Sequence, residues 1–326
     1  MNKAAFEAKV LEILRENGNS RWRRHMDDGR LDVRSLHEYR TSDKVFKRRE
    51  MPGRRDYAVA FVLDVSGSMR GPKSEAAMDM ALQFAESMNA LRIPFCITAF
   101  ANRAAVIHGA GENYSRPLMR ERLHALYFGY SVLVDRDTGE TCSRDPSLGY
   151  RTLSDDEYRR GNETNKYMSI GAGTNPDVAF FKAALLVDRF PGEKIIVTMS
   201  DGEFNENWGP IPPRWARDVE KWSKLPGNSP KQASYRSFEA EEPESSYFSG
   251  MSTPMISFAG YMSAELGWKF LWMGIQQHDF ELLEKAQPHL LGKGSAFTVH
   301  NLSQGYAAML SKLETSFSFD HARKLR

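Results

Sequence analysis

YAVAFVLDVSGSM, residues 57–69, opens with seven apolar residues, stops at Asp64 and gives way to small polar side chains. An unbroken apolar run of strand length, rather than an alternating one, suits a parallel strand covered on both faces. Asp64, Ser66 and Ser68 then occupy alternate positions just past the strand. A tight loop there turns one carboxylate and two hydroxyls toward a common point above the sheet. Gly67 is expected to let that backbone turn.

The pattern continues downstream. SEAAMDMALQFAESMNAL (74–91) carries apolar residues at helical spacing and is followed by PFCITAF (94–100), a second short strand. A helix is expected over RPLMRERLHALYF (116–128). NPDVAFFKAALLVDRF (175–190) reads as a helix begun by Asn175 and Pro176, and EKIIVTMSDGE (193–203) as a buried strand ending in an acidic turn. A last set alternates helix, strand, helix, strand and helix at MISFAGYMSAEL, WKFLWMGI, DFELLEKAQP, SAFTVHN and SQGYAAMLSKLETSF. Such alternation predicts an α/β fold, a doubly wound and mainly parallel sheet with ligand sites at the carboxyl ends of its strands.

This domain is expected over residues 57–326, with polar insertions near 129–166 and 204–250. Residues 1–56 precede it. They read as an amphipathic helix, with Phe6, Val10, Ile13 and Leu14 on one face, followed by an arginine-rich arm with basic patches at Arg21–Arg24 and Lys47–Arg49. Acidic residues are interleaved and no reading module is recognisable, so the arm is expected to be solvated rather than to bind nucleic acid.

Several function classes are disfavoured by composition. Charged residues at 26% and a formal net charge of +2 point to no polyanionic partner, and a mean hydropathy of -0.52 with no long apolar run argues against a membrane span. Cys96 and Cys142 stand in no metal-ligand spacing and make no disulfide framework. The amino-terminal residues do not resemble a signal peptide, and the expected address is cytoplasmic. Ser68 lacks the G-x-S-x-G elbow of a hydrolase because position 66 is serine. Asp64 lacks the second acid, two residues on, that phosphotransfer wants. Gly292-Lys293-Gly294 is no Walker A string, and His278 beside Asp279 reads as a solvent-facing pair. The chain is expected to be non-catalytic.

Asp201 ends the strand KIIVTMS and so reaches the same sheet edge as Asp64, and Thr174, just before a helix, is in reach of it. Oxygen donors of this kind suit Mg²⁺ or Mn²⁺ better than zinc. Alone, D-x-S-x-S is equally a turn. Combined with S-D-G-E at Ser200–Glu203 and G-T-N at Gly173–Asn175, the chain resembles the von Willebrand factor A (VWA) family, in which such residues form a metal-ion-dependent adhesion site. The resemblance implies that Ser66, Ser68 and Thr174 offer hydroxyls to the ion, while Asp64 and Asp201 balance its charge directly or through water. It also implies an open coordination position that takes a carboxylate from a protein partner. Asp177 and Glu203 are acidic candidates for an outer shell.

A narrower resemblance, to the CobT subunit of aerobic cobaltochelatase, rests on G-R-L-D at Gly29–Asp32, LDVSGSMRGP at Leu63–Pro72 and GIQQHDF at Gly274–Phe280. It implies an AAA+ ATPase of the MoxR or CobS type as partner. Thr174 stands where CobT places an Asp, and the chain has no long acidic region before the domain. The other reading is a stand-alone adhesive or scaffolding module.

Overall fold

The computed structural model describes residues 21–26, 30–31, 46–50, 57–128, 131–170, 173–201, 210–226, 228, 253–275, 295–299, 305, 308–309 and 311. The chain divides into two units, residues 8–55 and a larger unit that takes in everything from residue 56 onward. In the smaller unit, β1 (Arg21–Met26), β2 (Arg30–Leu31) and β3 (Phe46–Glu50) form an antiparallel sheet in the order β1-β3-β2. Both basic patches of the expected arm therefore lie on paired strands. The amphipathic helix expected over the first residues lies outside the described residues.

In the larger unit, β4 (Tyr57–Asp64) is buried along all eight residues, as its unbroken apolar run requires. A short 3-10 turn at Gly67–Met69 leads into α1 (Pro72–Ala90), with Pro72 at its first position. Gly71 caps that helix at φ +84°, in the left-handed region. The conformational freedom expected of Gly67 is thus required at Gly71 instead. After β5 (Phe95–Phe100), an edge strand β6 (Ala104–His108) pairs antiparallel to it, and α2 (Arg116–Phe128) follows.

The polar stretch near 129–166 is a small folded layer rather than an open insertion. Strands β7 (Val132–Asp135), β8 (Thr141–Ser143), β9 (Arg151–Thr152) and β10 (Tyr167–Ser169) form a sheet in the order β10-β7-β8-β9, with α3 (Asp155–Glu163) between the last two in sequence. Ser154 and Glu157 start α3 with a reciprocal capping box. Leu133, Cys142, Leu153 and Tyr167 give this layer its own core, and Gly161 lets α3 lie directly against the Tyr167 ring.

The chain continues through α4 (Pro176–Asp188), β11 (Glu193–Ser200), α5 (Pro213–Ser223), α6 (Thr253–Leu266), β12 (Lys269–Ile275) and β13 (Ala296–Val299). Helix α5 falls inside the second expected insertion, most of which lies outside the described residues. So does the expected helix at DFELLEKAQP. Residues 305, 308, 309 and 311 are helical, within the expected closing helix.

The main sheet has the order β13-β12-β11-β4-β5-β6 and is parallel except at β6. The doubly wound α/β expectation holds, with an antiparallel edge that the sequence reading did not include. Successive β4 residues serve opposite faces. Ala58, Ala60 and Val62 leave room for an aromatic core on one face, where Phe180 of α4 stacks on Trp272 with ring centroids 5.6 Å apart. On the other, Phe61 stacks on Phe84 of α1 at 4.6 Å.

Arg122 of α2 fastens the small layer to the main sheet. Buried among backbone carbonyls, it donates to Ile107 at 2.6 Å, to Leu148 at 2.8 Å and to Gly149 at 3.3 Å. It also pairs with Glu112 at 2.8 Å. Replacing Arg122 with Met keeps the stem and removes these donors, so it should cost on the order of 3 kcal/mol. Limited proteolysis should then cut within residues 131–170 before the main sheet, and unchanged resistance there would contradict the fastening role.

Candidate metal centre

The main sheet reverses its winding at one place. From β4 the chain builds outward through β5 to β6 on one side, and β11, on the other side of β4, begins the path to β12 and β13. A reversal of this kind opens a crevice at the carboxyl ends of the two central strands. Leu63 pairs with Met199 in the parallel register of β4 and β11, which sets Asp64 opposite Ser200 and brings Asp201, the next residue, to the same edge within electrostatic reach of Asp64. Both are fully buried.

Each carboxylate is held in its own way. The Ser66 amide donates to Asp64 Oδ1 at 2.8 Å, and the Ser200 hydroxyl donates to Asp64 Oδ2. The Tyr127 hydroxyl donates to the Asp64 main-chain carbonyl at 3.0 Å, fixing the strand end from α2. Asp201 Oδ2 accepts from Lys73 Nζ at 3.0 Å. Burial pushes the Asp64 carboxyl from an ordinary 3.8 up to about 7; the donors from Ser200 and Ser66 oppose that shift, and the neighbouring Asp201 charge adds to it.

The hydroxyls converge on the same edge. Ser66 and Ser68 Oγ lie 3.0 Å apart on either side of the exposed Gly67. Ser66 is buried and Ser68 half-buried, so the loop runs from the interior to the mouth of the crevice. Thr174 is buried past the end of β5, where the next residue, Asn175, donates its amide to the Ala101 carbonyl at 2.7 Å. Asp177 is also buried, in the first turn of α4, which rules out a purely solvent-facing helix-end charge. Glu203 and the His278–Asp279 pair lie outside the described residues.

Asp64, Ser66, Ser68 and Asp201 lie together at the ends of β4 and β11, and Thr174 is buried past the neighbouring β5; all five offer oxygen, two as carboxylates and three as hydroxyls. That set fits a hard divalent cation such as Mg²⁺ or Mn²⁺. The ammonium already sitting on Asp201 shows that the edge accommodates a cation. Among the described residues no group of three or more His, Cys, Asp or Glu is placed to hold a metal.

The sequence reading gave no role to Ser200, Tyr127 or Lys73. Lys73 carried a readable signal, a cation in the first turn of a helix where the macrodipole disfavours it by about 0.3–1 kcal/mol. Tyr127 carried none, since its contact spans 63 residues.

Residues 45–120 match the family model of the cobalamin biosynthesis protein CobT VWA domain. Over those residues the chain resembles the VWA domain of CobT. No curated protein matches it in sequence. Among solved structures it is similar to the vWF domain of the type V pili tip protein Mfa5 from Porphyromonas gingivalis, with 13% identity over 82% of this chain and 96% of that one, at a TM-score of 0.44. It is also similar to proximal thread matrix protein 1 from the mussel byssus, with 12% identity over 81% of this chain and 47% of that one, at a TM-score of 0.41. The chain thus spans about half the length of the mussel protein.

The raised Asp64 value has a stability consequence. Between about pH 4 and about pH 7 the native protein keeps a proton that the unfolded chain has lost, so this group's contribution is full at the acid end and fades as pH rises. In metal-free buffer, wild type should lose up to about 4 kcal/mol relative to Asp64→Asn across that window, read from urea unfolding at each pH. A wild-type-minus-variant difference that stays flat with pH contradicts the buried acid.

Proposed function

We propose that this VWA protein is a non-enzymatic, cytoplasmic adaptor that binds a divalent cation at Asp64, Ser66, Ser68, Thr174 and Asp201 and uses it to grip a carboxylate on a protein partner. The observation that carries the reading is the grouping of Asp64, Ser66, Ser68 and Asp201 at the winding reversal of the sheet, with Thr174 buried past the next strand. The match of residues 45–120 to the CobT VWA domain supports a partner of the AAA+ class, of the MoxR or CobS type. Mg²⁺ is the favoured ion and Mn²⁺ the next, on the hardness of the donors.

The protein's own residues do three things. Ser66, Ser68 and Thr174 present neutral hydroxyls, and the two carboxylates supply the charge. The two carboxylates balance the ion's charge and the hydroxyls add none, so an open coordination position on the ion is left for an acidic side chain to fill. Tyr127 and the Ser66 amide hold the end of β4, so the donors need little rearrangement to bind.

Isothermal titration with Mg²⁺, Mn²⁺ and Zn²⁺, joined to pull-down of a MoxR- or CobS-type ATPase, tests the reading. Wild type should bind Mg²⁺ and recover the ATPase, EDTA should abolish recovery, and Asp64→Ala should lose metal and partner together while its far-UV circular dichroism is retained. Undiminished metal affinity in Asp64→Ala overturns the site. Metal binding without ATPase recovery overturns the adaptor and leaves a stand-alone adhesive module.

A further inference from the structure

Lys73 is the second residue of α1, at the positive end of the helix macrodipole, yet its ammonium reaches across to β11 and lies 3.0 Å from Asp201 Oδ2. The lysine side chain keeps 21% of its exposure while Asp201 keeps none. The two carboxylates of the crevice are therefore compensated unequally. Asp64 meets donors that carry no charge, the Ser66 amide and the Ser200 hydroxyl. Asp201 meets a full positive charge.

Resting on the metal reading above, we infer that Lys73 is a tethered counter-cation of Asp201 in the metal-free protein, which a divalent ion displaces from that carboxylate and sends toward solvent. A divalent ion and an ammonium cannot share the same buried carboxylate oxygen: they draw on the same lone pairs and repel one another at short range. The ion brings twice the charge and coordinates several donors at once, whereas Lys73 holds one oxygen. The exposed part of the lysine stem gives the ammonium a way out. Lys73 thus does two opposed jobs. It keeps the buried Asp201 charge compensated before the ion arrives, and it lowers the affinity of the ion that replaces it.

The inference is read in the full-length protein. Lys73→Met keeps the aliphatic stem and removes the charge. Its Mg²⁺ affinity by isothermal titration should rise about tenfold, within the usual range for coupled binding events, while its urea midpoint in EDTA should fall below that of wild type. On wild type, acetylation of Lys73 by a water-soluble active ester, measured by mass spectrometry, should speed up on saturation with Mg²⁺. Metal affinity equal to or weaker than wild type in Lys73→Met, or labelling of Lys73 that Mg²⁺ leaves unchanged, overturns the inference while the metal site stands. If wild type binds none of the divalent ions at millimolar concentration, the metal reading fails and the competition falls with it.

Discussion

Two aspartates emerging side by side from neighbouring parallel strands, both without solvent, are the constraint around which the larger unit is arranged. The β4–β11 register brings Asp64 and Asp201 to the same edge, and burying two carboxylates is costly unless their charge is answered; at Asp64 burial pushes the carboxyl toward neutrality. The surrounding structure answers piece by piece. The loop after β4 folds back to give Asp64 the Ser66 amide, β11 gives it the Ser200 hydroxyl, and the first turn of α1 gives Asp201 the Lys73 ammonium. Each donor comes from an element whose position the sheet already sets, so the edge is built before any ligand arrives.

That arrangement suits the binding of a cation. A carboxyl poised near neutrality by burial, beside a second carboxylate, gains most from a cation that satisfies both at once. The hydroxyls of Ser66, Ser68 and Thr174 add coordination without adding negative charge. A divalent ion held by two carboxylates is close to neutral overall, and an open coordination position on it suits one more oxygen donor.

The centre of the fold was legible because its signals were long and local. The apolar run of β4, the helical spacing of α1 and α4 and the strand before Asp201 each span eight or more residues, enough for a period to declare itself. The layer around residues 132–169 was not, since its strands run only two to four residues and its core draws Leu133, Cys142, Leu153 and Tyr167 from separated positions. Strands β1 and β3 were hidden for another reason. RWRRHM and FKRRE lack the alternation of apolar and polar residues by which a half-buried strand is recognised. In the metal centre, the donors stood in motifs and could be read, whereas Ser200 on Asp64 and Lys73 on Asp201 join residues 136 and 128 positions apart. No spacing rule reaches that far.

Helix α2 connects the two parts of the larger unit that the sequence left unconnected. At Arg122 it gathers carbonyls from the edge strand β6 and from the small layer, and at Tyr127 it donates to the main chain of Asp64. The Tyr127 hydroxyl lies in a buried setting next to a carboxylate, and both burial and that charge raise its pKa, so it remains a donor throughout the physiological range. The end of β4 therefore cannot shift without breaking a buried hydrogen bond to a helix that is itself fastened to the small layer. Phe128, the next residue, is half exposed beside that anchor. The small layer is thus a structural support of the metal edge, acting through one helix, and its polar composition reflects an outer surface rather than the absence of a fold.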